Sequence, residues 1–150
     1  MASSLVLNYI HIVFSTRNRR NWIDSSIEDE LHNYMGGICQ KLGCHPLRVG
    51  GTSNHVHILC QLSKNMPLSK LVEEIKSHSS KWIKSKESKY LKFYWQKGYG
   101  AFSVNYNRTD IVVNYIKNQR QHHRIKSFEK EYKELLIKEG IEFDEGYLYG

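Results

Sequence analysis

The order in which hydrophobic periodicities follow one another constrains this chain most, because it predicts strand, helix, strand, strand, helix and strand in turn. Residues 5–14, Leu-Val-Leu-Asn-Tyr-Ile-His-Ile-Val-Phe, are β-branched and aromatic with few helix formers, which predicts a central strand. A basic loop, Arg17-Asn18-Arg19-Arg20, ends it. Ser25 followed by Glu28 fits a capping box, and Ile27, Leu31, Tyr34, Met35, Ile38 and Leu42 then recur at helical spacing until Gly43 stops them. A short strand at 47–49 leads through Gly50-Gly51 into a second strand beginning at His55, a plausible hairpin. Pro67 opens a second helix with the apolar stripe Leu68, Leu71, Val72, Ile75, Trp82 and Ile83. Residues 91–106, rich in aromatics and glycine, predict a loop feeding a fourth strand at 101–105.

That order is the ferredoxin-like, split-βαβ pattern of an α+β protein: an antiparallel sheet with its first two helices on one face. A third helix, over 109–123, is expected against the other face. One more amphipathic segment follows, with Phe128, Tyr132, Leu135 and Leu136, and Gly140 ends it. The expected organisation is a single domain over 1–150, with a core of about 4–125 and a C-terminal helix and tail over 126–150. No internal repeat or low-complexity linker interrupts it.

Within the third strand, His55-Val56-His57-Ile58-Leu59-Cys60-Gln61-Leu62, period two sends Val56, Ile58, Cys60 and Leu62 to a core face. His55, His57, Leu59 and Gln61 go to the other. Two neutral imidazoles side by side suit a divalent ion, and a third ligand must then come from elsewhere in the chain. Two half-buried histidines bonded to backbone are the competing reading of an H-x-H motif.

The predicted third helix supplies candidates. Val112, Val113 and Ile116 share its apolar arc, with Tyr115 and Gln119 at the border. Being four apart, these two point the same way, towards the face carrying His55 and His57. On that reading a Gln119 amide oxygen completes the metal shell and the Tyr115 hydroxyl stands as a nucleophile beside a Lewis acid; a tyrosine packed at a helix border and a solvated glutamine are the competing reading.

The net charge of +7 favours a polyanionic partner such as nucleic acid, and ten tyrosines add stacking candidates for unpaired bases. Cys39, Cys44 and Cys60 are odd in number and lack C-x-x-C spacing, so they read as reduced thiols, which points to a cytoplasmic location. No signal-peptide pattern opens the chain and no apolar run approaches bilayer length, so neither export nor membrane insertion is expected.

His55-Val56-His57 together with Tyr115-Ile116-Lys117-Asn118-Gln119 resembles the single-tyrosine HUH transposases of bacterial insertion sequences, the IS200-like family. The segments at 95–104, Trp-Gln-Lys-Gly-Tyr-Gly-Ala-Phe-Ser-Val, and at 11–17, His-Ile-Val-Phe-Ser-Thr-Arg, resemble that family too, in its order. The resemblance implies that Tyr115 is the nucleophile and that His55, His57 and Gln119 ligate Mg²⁺ or Mn²⁺. It further implies a transposase that cleaves and rejoins single-stranded DNA with hairpin ends through a 5′-phosphotyrosine, working as a homodimer assembled in cis or in trans. On that analogy Arg17, Arg19, Arg20, Lys117, Arg120 and Arg124, with Lys126, are candidates for contact with the DNA backbone; an ordinary solvated face is the competing reading. His11 is expected to be structural unless it flanks the metal. The segment 128–150 is expected to cap the third helix or a dimer interface.

Other readings predict different behaviour. A domesticated, repeat-associated HUH nuclease shares the chemistry without moving an element. A non-catalytic single-stranded nucleic-acid binder on the same sheet needs neither His55 nor Tyr115. A structural zinc site fits a glutamine ligand poorly.

Overall fold

Four strands, β1 (Tyr9–Ser15), β2 (His45–Gly51), β3 (His55–Gln61) and β4 (Gly100–Val104), form one antiparallel sheet in the order β2-β3-β1-β4. This computed structural model describes residues 3–123 and 126–144. Helices α1 (Ser25–Lys41) and α2 (Leu68–Lys86) follow β1 and β3, giving the expected α+β, ferredoxin-like order. Short helices α3 (Thr109–Lys117) and α4 (Gln119–His122) follow β4, and α5 (Phe128–Lys138) comes last.

Period two in β1 and β3 divides the molecule into two cores. Ile10, Ile12 and Phe14 of β1, with Val56, Ile58 and Cys60 of β3, pack with Ile27, Leu31, Met35 and Ile38 of α1 and Leu71, Val72 and Ile75 of α2. Side chains of this size each contribute about 1.5–3 kcal/mol when fully buried, so this layer carries most of the stability. Cys39, Cys44 and Cys60 are free thiols buried in it. The alternate residues face the opposite side, where Val13 and Phe102 pack against Phe128 and Leu136 of α5.

The strand register sets up that second face. In the β1–β3 pairing Val13 lies opposite His57 and Ser15 opposite His55, while His11 lies opposite Phe102 of β4. Gly50 of β2 lies opposite His57. A Cβ on Gly50 would stand 2.8 Å from Ile116 Cγ2 and 2.9 Å from the Ile116 carbonyl oxygen. Its missing side chain is what lets α3 approach the sheet.

Three local expectations are corrected. Ser25 does not cap α1: Asp24 holds the N-cap position without a side-chain bond, and Glu28 pairs with Arg120 instead. The first β2 residues were legible only in part, since the strand runs from His45 rather than 47 and shifts register between Pro46 and Arg48. Pro46 has no N–H for the ladder, which an edge strand tolerates. The third helix is broken at Asn118 (φ −97°, ψ 20°) into α3 and α4, and of its apolar arc only Ile116 is fully buried, Val112 and Val113 remaining half-exposed.

Candidate active site

His55 and His57 lie on the second face of β3, both wholly buried. The broken helix still directs both of its expected residues to them. Gln119 is 1 % exposed with its amide oxygen 2.8 Å from His55 Nε2, and the Tyr115 ring lies 5.6 Å from that of His57. The backbone ladder survives the break, because the Asn118 amide bonds the Asn114 carbonyl at 3.1 Å and His123 bonds Gln119 at 3.0 Å. Tyr115 and Gln119 therefore keep their shared direction.

The histidines are oriented from behind. Asn54 Nδ2 donates to the Arg19 carbonyl at 3.4 Å, which leaves Asn54 Oδ1 facing His55 Nδ1 at 2.8 Å. His55 Nδ1 must then carry the proton, and Nε2 presents its lone pair inward. His11 Nε2 sits 2.8 Å from His57 Nδ1 with the two rings stacked. His11 thus flanks the candidate metal position, holding His57 as carboxylates and carbonyls hold metal-binding imidazoles elsewhere. Burial, reinforced by His57, pulls the pKa values of His11 and His55 down to about 3. Both are neutral at physiological pH, as ligands and their supports need to be.

The sequence did not flag the acid at the centre of this cluster. Glu131, on α5, is 2 % exposed. Its Oε1 lies 3.2 Å from His57 Nε2, 3.7 Å from His55 Nε2 and 3.1 Å from His123 Nε2. Its Oε2 accepts from Gln119 Nε2 at 3.1 Å and from the Tyr115 hydroxyl. Burial alone would raise this carboxyl, but the bonds from His123, His57 and Tyr115 outweigh it and hold Glu131 well below the usual carboxylate range. The Tyr115 phenol moves the other way. Burial and the Glu131 charge push it well above its ordinary value, so the hydroxyl is protonated at neutral pH. A signal for Glu131 exists in retrospect: it falls at helical spacing between Phe128 and Leu135, an acid on the apolar stripe. Phe128 itself is stacked on His55, with ring centroids 4.5 Å apart. Helix α5 thus abuts the third helix and reaches past it into the histidine cluster.

The donor set fits a divalent cation. Two imidazole nitrogens, an amide oxygen and a carboxylate oxygen converge on one buried point, and the His55, His57 and Glu131 ligand atoms lie within 4.8 Å of one another.

The basic candidates are dispersed. Arg17 and Arg20 line a cleft of about 310 Å³ with Asn18, Trp22, Lys92 and Tyr94. Arg19 is tied to Glu129 at 2.7 Å, and Arg120 to the buried Glu28. Lys117 is exposed, and Arg124 lies outside the described residues. A second cleft, of about 520 Å³, runs between β4, α3 and α5 to His11 and Tyr115, with Arg108 and Lys138 on its wall. Among the described residues no helix is long and apolar enough to cross a membrane.

Residues 4–119 match the family described as Transposase IS200 like. The chain is also similar to two solved structures. One is a candidate transposase from Deinococcus radiodurans R1, 18 % identical, covering 79 % of this chain and 95 % of that one with a TM-score of 0.63. The other is a REP-associated tyrosine transposase bound to a REP hairpin, 17 % identical, covering 82 % of this chain and 73 % of that one with a TM-score of 0.61. At these identities the two establish the shared fold. No curated protein matches the chain.

Proposed function

This chain belongs to the IS200-like transposase family, and from that premise we propose that it cleaves and rejoins single-stranded DNA at insertion-sequence ends through a covalent 5′-phosphotyrosine on Tyr115. One observation carries the reading: the Tyr115 side chain shares a buried cluster with His55, His57 and Gln119, within one chain. A tyrosine that merely packed at a helix border would not bring its hydroxyl to that cluster.

His55, His57 and Gln119 would hold Mg²⁺ or Mn²⁺, which when bound polarises the scissile phosphate and offsets charge building on its oxygens. The remaining work falls to the chain. Tyr115 attacks the phosphorus in line, its oxygen forming the new P–O bond as the bond to the 3′ oxygen breaks. The phenolic proton passes to solvent, and the leaving 3′ oxygen takes up a proton from solvent to become a free hydroxyl. Because the phosphodiester energy is retained in the phosphotyrosine, a 3′-hydroxyl of another strand can reverse the step and rejoin without ATP. Burial makes the Tyr115 proton costly to remove, so the free protein is held unreactive until metal and DNA are both bound. His11 holds the His57 ring, and Asn54 with Thr52 fixes His55.

The strand reaches Tyr115 along the cleft between β4, α3 and α5, where Arg108 and Lys138 meet its phosphates. The cleft of Arg17, Arg20 and Lys92 takes a further stretch, with Trp22 and Tyr94 as stacking surfaces. Lys117, Arg120 and Arg19 are supporting contacts. The partner is DNA with a hairpin beside the cut, in keeping with the hairpin bound by the REP-associated neighbour. The chain acts as one domain, in a cytoplasmic homodimer.

The test is incubation with end-labelled single strands from the flanking element ends, with Mn²⁺ or with EDTA, resolved on a denaturing gel. Metal-dependent cutting beside the hairpin is expected. Binding of verified end sequences without cutting would favour a non-catalytic binder, and cutting of dispersed repeat hairpins alone would favour the repeat-associated nuclease.

A further inference from the structure

The reaction above gives Glu131 of α5 no part, and the family match stops short of that helix at residue 119. Yet α5 places a buried carboxylate, Glu131, 2 % exposed, on the second face. Among the described residues the ion-pair partners of Glu131 are His55, His57 and His123, with no lysine or arginine among them. Removing a carboxylate from water costs several kcal/mol, on the order that only a close cation or several hydrogen bonds can offset.

The direction of the surrounding hydrogen bonds shows what the cluster is built to hold. Asn54 fixes the His55 proton on Nδ1, so Nε2 offers a lone pair. Gln119 Nε2 donates to Glu131 Oε2 and faces the Tyr115 carbonyl, so Gln119 Oε1 is turned towards His55 Nε2, 2.8 Å away. Two acceptors therefore meet at hydrogen-bond distance with no hydrogen between them, and a third acceptor, Glu131 Oε1, stands 3.7 Å from the same nitrogen. Converging acceptors of this kind are brought to rest by a cation. The spacings agree. Ligands each about 2.1 Å from an ion lie roughly 3.0 Å apart at a right angle and about 3.4 Å apart at the tetrahedral angle. Glu131 Oε1 stands 3.2 Å from His57 Nε2, and Gln119 Oε1 2.8 Å from His55 Nε2.

The geometry points to Glu131 as a direct anionic ligand of the divalent ion, supplied by the C-terminal helix of the same chain, beside His55, His57 and Gln119. This rests on the metal-assisted reading and adds the ligand that reading lacks. Two imidazoles and an amide bring no charge to offset a dication, and hard cations favour carboxylate oxygen. The helix is well anchored for the role. Phe128 lies flat on His55, and Tyr132 fills the space that a Cβ on Gly100 would take, 2.7 Å from its ring. Because Oε2 accepts the Tyr115 hydroxyl, the same carboxylate ties the nucleophile to the ion's position.

The experiment is a Mn²⁺ titration of the full chain without DNA, free Mn²⁺ being read by electron paramagnetic resonance, on wild type, Glu131→Gln and His57→Ala. The expected result is a wild-type site that Glu131→Gln weakens by more than the roughly 10- to 100-fold that loss of a partner outside the ligand shell costs, and that His57→Ala abolishes. Unchanged or tighter binding in Glu131→Gln, with binding still lost in His57→Ala, overturns the ligand role and marks the carboxylate as a plug over a three-ligand site. Equal binding in wild type and His57→Ala instead overturns the metal reading itself. Should Glu131→Gln not fold by circular dichroism, wild type carrying ¹³C in its glutamate carboxyls decides the matter. A Mn²⁺–¹³C coupling of a directly bound carboxylate is expected, and its absence contradicts the proposal.

Discussion

At the scale of single residues, the site divides into side chains that announce themselves in sequence and side chains that only the fold brings in. His55 and His57 are two apart on a strand, and Tyr115 and Gln119 four apart on a helix, so local geometry alone gives each pair a common direction. Glu131 and His11 share no such spacing with them, whereas His123 follows Gln119 by four and extends the same row. His11 reaches His57 because β1 pairs with β3 in a register that no short motif encodes, and Glu131 arrives from a helix many residues downstream. Even so, His11 has a checkable task. It is not among the proposed ligands of the ion, and acts on them through His57 Nδ1. His11→Ala is expected to weaken Mn²⁺ about 10- to 100-fold while His11→Asn, which keeps a polar group near Nδ1, recovers part of the loss. Equal Mn²⁺ affinity in all three proteins would make His11 a packing residue.

At the scale of elements, the strand-helix order was legible because burial on one face imposes a period and the period survives in the sequence. What was not legible were the places where an element answers to a distant one. Glu28 has the spacing of a capping box but pairs with Arg120, since a buried carboxylate gains more from a guanidinium than from an exposed helix terminus. Asn118 breaks the third helix between Tyr115 and Gln119. The Gly50–Ile116 contact is what seats that helix. Gly50→Ala should force α3 outward and cost about 1–3 kcal/mol, whereas Gly37→Ala, on an exposed α1 position with nothing within 4 Å of the added Cβ, should stabilise by about 0.5–1 kcal/mol. Urea midpoints of the two variants check this. A neutral Gly50→Ala would mean that α3 does not press on the sheet.

At the scale of the whole molecule, buried histidines store an acid lability. Burial holds His11 and His55 near 3, and burial likewise holds His32 near 4, against 6.5 when exposed. Between those limits the unfolded chain binds protons that the folded one refuses, so stability falls as pH drops through that window. Glu131, held below its usual range, adds to the loss in the acid part of it. In EDTA the urea midpoint should therefore decline steadily from pH 7 to pH 4. A midpoint that stayed level would mean that these groups are open to water. The fold and four residues of the site could be read from one chain; the closing helix could not, because its contribution is a tertiary contact with no local signature. Everything nevertheless turns on one oxygen. The most direct measurement is mass spectrometry of peptides from protein trapped on a single-stranded element end with Mn²⁺. The account predicts a nucleotide phosphate on the peptide containing Tyr115, absent in Tyr115→Phe. A nucleotide on any other residue, or an adduct that persists in Tyr115→Phe, would contradict it.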